Sequence, residues 1–326
     1  MIITKTPLRI SFLGGGTDYP EYYFDHGGCV LGSAIDKFVY VSVSRFYSEL
    51  FDYCIRIAYR HVECVDSVDA IQHAPFRECL RGCGVTRDVE VTYMAELPSF
   101  SGLGTSSSFV VSLLQALEAF KGQSLRGMEL AHRAIDIERD VLQESVGCQD
   151  QTFAAVGGFN LLEFRSNRDV VVHRVPLTAE RQREIEAHVL LVFTGMQRRA
   201  NDYAQRHVNR ISENLQPLHR LRRLVDVGYS YLTDGGSIER FATVMNESWQ
   251  IKRDLDKTIA SDRICQMYSD GMAAGAFGGK LLGAGGGGYL LFLVPPERRQ
   301  DVLQRLGHPQ ELAIRLNAPG STVLHA

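Results

Sequence analysis

The spacing of hydrophobic positions changes several times along the chain, and the changes mark out its elements. Residues 2–13 mix β-branched and apolar side chains and predict a strand running into Gly14-Gly15-Gly16. Lys37–Arg45 and Val89–Ala95 predict two more strands. The stretch from about Ser106 to Phe120 is apolar almost all round, which predicts a buried helix. Gly127–Glu144 has the helical period with one polar side, and Gly147 stands where a stop is needed. Val156–Phe164, Val170–Val175 and Val189–Phe193 are strand-like. From Asn201 to Ala276 the pattern is mostly helical, and Gly283–Gly288 then feeds a strand, Tyr289–Val294, that Pro295-Pro296 ends. Strands with inserted helices in the first half, and helices with few strands in the second, predict an α+β fold with a domain junction near residues 165–190.

At 326 residues the chain exceeds what one hydrophobic core ordinarily serves, so two domains are expected. A hydrophobic fraction of 45% with 22% charged residues excludes disordered and fibrous classes. The net charge of -3 comes with no basic stripe, which argues against a nucleic-acid partner, and the Arg-rich run at 219–223 reads as a solvated helix face. The seven cysteines are odd in number and lack CxxC spacing, so a disulfide framework or structural zinc is poorly supported and a reducing compartment fits. No leader-like or membrane-spanning run stands out, which leaves the cytoplasm as the expected location.

Three glycine-rich segments carry most of the chemical information. In the first, Arg9 precedes Gly14-Gly15-Gly16-Thr17-Asp18-Tyr19, a strand and tight turn followed by a hydroxyl, a carboxylate and a phenol. Such a turn lets backbone approach a ligand closely, and Asp18 suits sugar hydroxyls, although a plain turn capped by Asp18 explains the string as well. The second, Pro98 to Ser108, lies just before a predicted helix and includes Ser101, Gly102, Leu103, Gly104 and four consecutive hydroxyl residues, Thr105, Ser106, Ser107 and Ser108. Free amides at a helix start, with the positive end of its dipole, make an anion site, and four hydroxyls exceed what a cap requires. The third, Gly283–Gly288, satisfies GxGxxG but opens a strand rather than a helix, so a dinucleotide fingerprint is excluded by context; Gly279-Lys280-Leu281 lacks the hydroxyl residue of a P-loop.

On the predicted helix at 127–144, Ala131, Ile135, Glu138 and Leu142 share a face, leaving Glu138 a lone carboxylate on the inward stripe. It needs a cation or hydrogen-bond donors there, and Mg²⁺ or a salt bridge would each serve. Asp150 follows the helix, and a kinase needs such a carboxylate to orient or deprotonate a hydroxyl, with a cation such as Arg9 to offset phosphoryl charge; alone, Asp150 reads as a turn residue.

Taken together and in order, Arg9–Tyr19, Pro98–Ser108 and Lys280–Gly288 resemble the three motifs of the GHMP kinase superfamily. The resemblance implies a two-domain fold, with a ribosomal protein S5 domain 2-like N-terminal domain over residues 1–175 and a ferredoxin-like C-terminal domain over 176–326. It implies ATP and Mg²⁺ as cofactors. It implies a catalytic Asp150 beside Arg9, ATP phosphates on Pro98 and Ser101–Ser108, and metal on Ser106 and Glu138, the latter lying twelve residues before Asp150. Gly15, Gly16, Thr17, Asp18, Gly285 and Gly286 would meet the substrate. The sequence departs from the usual motifs in carrying Gly15-Gly16 where galactokinases have Glu-His, and Thr105 and Ser107-Ser108 where Ser and Ala are usual.

Within the superfamily, Leu8–Pro20, Ala34–Val41 and Phe193-Thr194-Gly195-Met196-Gln197-Arg198 most resemble the kinases of D-glycero-D-manno-heptose 7-phosphate, which serve nucleotide-activated heptose synthesis for lipopolysaccharide or capsule. A phosphorylated substrate requires cations at its distal phosphate, with Lys37, Arg198 and Arg199 as candidates. The partner expected is thus a small sugar phosphate, with neither nucleic acid nor membrane, and a homodimer is compatible. A kinase for an unphosphorylated sugar such as fucose or galactose, and a catalytically silent sugar- or nucleotide-binding regulator, are the alternatives.

Overall fold

In the computed structural model, which describes residues 1–99, 101–196 and 201–325 (for Asn201 and Asp202 the backbone only), the chain builds two antiparallel-dominated sheets sharing a continuous core. Strand β1 (Ile2–Leu13) turns through the first glycines into α1 (Pro20–His26), and β2 (Gly28–Arg45) returns antiparallel beside it. The hairpin β3 (Ile55–Ala58) and β4 (Val62–Val65) precedes α2 (Ala74–Cys83), and β5 (Val89–Ala95) then pairs with β2 and β3. Next come α3 (Thr105–Phe120) and α4 (Gly127–Asp136); the latter runs into a π-turn over Ile137–Val141, after which α5 (Gln149–Val156) leads to the hairpin β6 (Phe159–Phe164) and β7 (Val170–Arg174).

The remainder is α6 (Ala179–His188), β8 (Val189–Phe193), α7 (Asn201–Asn209), α8 (Leu215–Thr233), α9 (Ile238–Leu255) and α10 (Asp262–Ala273), then β9 (Gly278–Leu281), β10 (Tyr289–Leu293), α11 (Arg299–Arg305), β11 (Glu311–Leu312) and β12 (Thr322–His325). The first sheet has the order β12-β1-β2-β5-β3-β4, with β6 and β7 added along β2; the second has the order β11-β8-β10-β9. Thus the last strand of the chain pairs with the first.

Helix α3 lies against β1 and β2, and every residue from Ser107 to Glu118 is buried, as its all-round apolar pattern requires. Its hydroxyls bind inward: Ser112 meets Thr4 at 2.9 Å, and Ser108 Oγ donates to the Pro7 carbonyl at 2.8 Å. Leu8, Ile10 and Phe12 of β1 share a core with Leu191 and Leu293 of the second sheet and Phe241 of α9. Phe12 stacks on Phe159 and meets Phe241 edge-on, with centroids 5.5 and 5.6 Å away, so the strand that carries Arg9 is clamped between β6 and α9.

Three expectations need correction. The α-helix beginning at Gly127 ends at Asp136, where the Leu142 amide reaches back five residues to the Ile137 carbonyl, and this wider turn leaves Val141 exposed. Residues 149–156 are helix rather than turn and strand, because the strand cannot begin until after Gly157 and Gly158, both at positive φ. Lys37–Arg45 is only the second half of the 18-residue β2, whose first half pairs with β6.

Candidate active site

A cavity of about 1070 Å³ opens where the end of β1, the start of α3, the start of α5, α7 and the C-terminal turn of α9 converge. Arg9 faces it from β1, held by backbone pairing to Ala34 and by its own amide donating to the Leu103 carbonyl at 3.0 Å. Asp150 comes from the first turn of α5. Arg9 grips it with two parallel bonds, Nε to Oδ1 at 2.8 Å and NH2 to Oδ2 at 2.6 Å, while NH1 donates to the Gly102 carbonyl at 2.7 Å. The fork geometry of a guanidinium suits such a bidentate pair and fixes the carboxylate's orientation. One arginine therefore ties the catalytic candidate to the phosphate-loop candidate.

Helix α3 starts at Gly104, which has a left-handed φ of 80° and offers no capping side chain. The first helical bond is Ser108 N to Gly104 O, and the amides of Thr105, Ser106 and Ser107 find no acceptor among the described residues. With the helix dipole behind them they form a ready anion site. Of the four hydroxyls, Ser106 alone is exposed. Thr105 meets Ser101 at 3.3 Å, Ser107 donates to Glu138, and Ser108 is turned inward to Pro7, away from the cavity. Leu103 is buried and contributes its carbonyl to Arg9, whereas Pro98, Ser101, Gly102 and Gly104 line the cavity. The third glycine segment packs straight onto this loop: a Cβ on Gly283 would come within 2.7 Å of Gly102 Cα. Gly283 and Ala284 reach the cavity; Gly285 and Gly286 lie a layer behind, against Ile259 and the Tyr203 ring.

Glu138 is 1% exposed and is carried by the π-turn, which aims it at the start of α3. Ser107 Oγ donates to its Oε1 at 3.1 Å and Gln151 Nε2 to its Oε2; no cationic side chain pairs with it among the described residues. Burial pushes its carboxyl up to about 8. Gln151 Oε1, beside it, is buried and has no hydrogen-bond partner among the described residues. An acidic oxygen so placed, with an exposed Ser106 hydroxyl on the same cavity wall, fits a hard divalent cation, which would supply the missing countercharge.

At the other end of the cavity the first glycine turn presents Asp18. Its carboxylate accepts from Gly16 N at 3.0 Å and Gln149 Nε2 at 2.9 Å; burial and the charge of Asp150 raise its pKa. Thr17 does not reach the cavity: its hydroxyl donates to the Gly14 and Cys29 carbonyls and accepts from Cys29 N. Gly15 and Gly16 do line it, and His207 Nε2 lies 3.0 Å from the Gly16 carbonyl. Lys37 is outside the cavity, its Nζ 3.5 Å from the neighbouring Asp36, and Arg198 and Arg199 lie outside the described residues.

Several lining residues were not singled out from sequence. Lys252, in the last turn of α9, donates to the Gly283 carbonyl at 2.7 Å, and burial brings its ammonium down to about 8. Arg206 of α7 and Arg210, in the turn just past its end, face in beside His207. An aromatic wall of Tyr59, His73, Phe76, Tyr93 and Phe109 closes the far end beyond Pro98. Lys252 and Arg206 sit in ordinary amphipathic helices where solvated cations look the same in sequence, Arg210 lies in the turn after one, and the aromatics are scattered over fifty residues.

This arrangement, an uncapped helix start facing an arginine-locked aspartate across a buried acid, is that of a phosphoryl-transfer enzyme. Residues 68–158 match the GHMP kinases N terminal domain and residues 230–309 the GHMP kinases C terminal domain. The chain belongs to the GHMP kinases. It is 27% identical over 321 residues to the D-glycero-alpha-D-manno-heptose 7-phosphate kinase of Campylobacter jejuni, covering 95% of this chain and 94% of that one. It is also similar to the Pyrococcus furiosus galactokinase, at 22% identity with 92% and 91% covered. Among solved structures, a D-glycero-D-manno-heptose 1-phosphate kinase from Bacteroides thetaiotaomicron superposes with a TM-score of 0.81 at 24% identity, covering 100% of this chain and 99% of that one. The expected GHMP kinase fold is thereby borne out.

Proposed function

We propose that the protein is a sugar kinase that transfers the γ-phosphoryl of ATP to the anomeric C1 hydroxyl of D-glycero-D-manno-heptose 7-phosphate, giving the 1,7-bisphosphate. The observation that carries the reading is the Arg9–Asp150 pair standing beside the open amides of α3. The aromatic wall around His73 takes the nucleotide base, and the amides of Thr105–Ser107 hold the phosphates. Asp150 orients the acceptor hydroxyl and receives its proton as the new P–O bond forms and the bond to the β-phosphate oxygen of ADP breaks. Arg9 keeps that carboxylate aimed and sets positive charge beside the transferred group. Ser106 and Glu138 would hold Mg²⁺, which when bound offsets phosphate charge.

The similarity to the Campylobacter jejuni enzyme supports a heptose 7-phosphate as acceptor. Arg206 and Arg210, on the acceptor side of the cavity, suit its distal phosphate. A second reading, an uncharged sugar, is favoured by the acids already paired with them, Asp256 with Arg206 and Glu213 with Arg210. An ADP-release screen over sugars and sugar phosphates decides between them. The heptose 7-phosphate is expected to give the highest kcat/KM; preference for a sugar without phosphate would overturn the acceptor, and no ADP release with any acceptor would overturn the kinase reading.

A further inference from the structure

Gly15 has no backbone reason to be glycine, since it is absent from the residues at positive φ. A Cβ there would sit 3.8 Å from Ser11 Oγ, 3.9 Å from Gln149 Nε2 and 3.9 Å from Lys252 Nζ, all ordinary contacts. The bare α-carbon thus floors a small niche ringed by three polar groups, and all four residues line the cavity.

None of the three groups is saturated. The Ser11 hydroxyl makes no hydrogen bond among the described residues. Gln149 is 9% exposed, and its Nε2, the atom that faces the niche, gives one of its two hydrogens, to Asp18, among the described residues. Lys252 gives one bond, to Gly283, and an ammonium has three to give. Buried polar atoms left open in this way mark a place for a ligand atom. The charge around the niche selects which kind. Asp18, held by Gln149, and Asp150 act on Lys252 as acids and Arg9 as a second cation, so the charges around the niche are matched in number and a neutral group fits it. A hydroxyl suits all three groups, accepting from Lys252 and from the second hydrogen of Gln149 Nε2 and donating to Ser11 Oγ.

We infer that the niche over Gly15, formed by Ser11, Gln149 and Lys252, binds the acceptor hydroxyl next to the one that is phosphorylated. Gln149 precedes Asp150 on α5, which sets the niche beside the reacting oxygen. This rests on the acceptor being a sugar, as proposed above.

The test is a cycle of kcat/KM values for wild type, Gly15→Ala and Lys252→Met, each with heptose 7-phosphate and its 2-deoxy analogue. In wild type, loss of the 2-hydroxyl is expected to lower kcat/KM about 30-fold, the scale of a hydrogen bond to a charged group. Each variant should lose a similar factor on the full substrate, lose little more on the deoxy analogue, and keep its KM for ATP within about twofold. Gly15→Ala meets no close contact in the fold, so it remains informative if Lys252→Met is unstable. Variants as sensitive to the missing hydroxyl as wild type would overturn the niche. If wild type does not phosphorylate heptose 7-phosphate, the acceptor assignment falls instead, and the same cycle with the sugar it does phosphorylate and that sugar's 2-deoxy form decides the niche.

Discussion

Arg9 and Asp150 stand 141 positions apart in sequence and are joined by two side-by-side hydrogen bonds of 2.8 and 2.6 Å. The third arm of the same guanidinium holds Gly102, so the aspartate and the loop before α3 are tied to one side chain.

Replacing Asp150 by Ala is expected to lower kcat by at least about a hundredfold, the usual worth of a positioned acid or base. ATP affinity, read by calorimetry, should hardly change, because the proposed nucleotide site is at the start of α3. Turnover equal to wild type would remove Asp150 from the chemistry.

Gly104→Ala should damage both stability and rate. The position has φ +80°, and a Cβ there would press Arg9 Cγ and Asp150 Oδ2 at 3.3 Å. A left-handed non-glycine residue costs about 1 kcal/mol, a fall of about 2 °C in melting temperature for a chain this size. Displacing the pair should cost about tenfold in kcat. A variant with wild-type kcat would mean the pair tolerates movement.

Glu138 makes stability depend on pH in a direction that can be worked out. Its folded value of about 8 exceeds its ordinary 4.5, so its contribution is fully present below about 4.5 and is lost as pH rises through about 8. Asp18 and Glu144, also raised, act in the same sense, while His73 and His207, lowered by burial from 6.5, act oppositely and have finished by about pH 7. Lys252 and Lys280, lowered by burial, gain stability over the same range, so the readout is a difference: in metal-free buffer wild type should lose melting temperature relative to Glu138→Gln between about pH 7 and 8.5. Adding Mg²⁺ should restore wild type more at the higher pH and leave the variant unmoved. Parallel curves for the two proteins, with and without Mg²⁺, would count against a buried acid waiting for a cation.

Arg206→Gln combined with Arg210→Gln should raise KM for a phosphorylated acceptor at least about tenfold while leaving an uncharged sugar unaffected. An equal loss on both acceptors would place the two arginines in the fold rather than in recognition of the acceptor.

Much of this site could be read from the sequence. Glu138 was marked as inward by spacing alone, and Gly102 and Gly104 by their position ahead of a helix. What spacing could not convey was the division of labour among neighbours. Ser106 and Ser107 differ by one position and both line the cavity, yet one is exposed and the other is buried against Glu138, because a helix turns each residue to a new face. Lys252 is invisible because its meaning comes from Gly283 and Gly15, loops distant in the chain that only the folded core brings to it. The same holds for Gly285 and Gly286, which look like ligand contacts in a string of glycines but serve close packing behind the wall.

The wide turn at Ile137–Val141 sets a constraint on how this protein can vary. Each residue advances a helix by about 100°. Deleting one position there would smooth the backbone and let Val141 rejoin the apolar side, while swinging the acid at 138 away from the start of α3. A tidier, sturdier helix and the proposed metal ligand are thus alternatives at this point in the chain, and length changes between 137 and 141 should be the ones that selection for phosphoryl transfer rejects even when folding would welcome them.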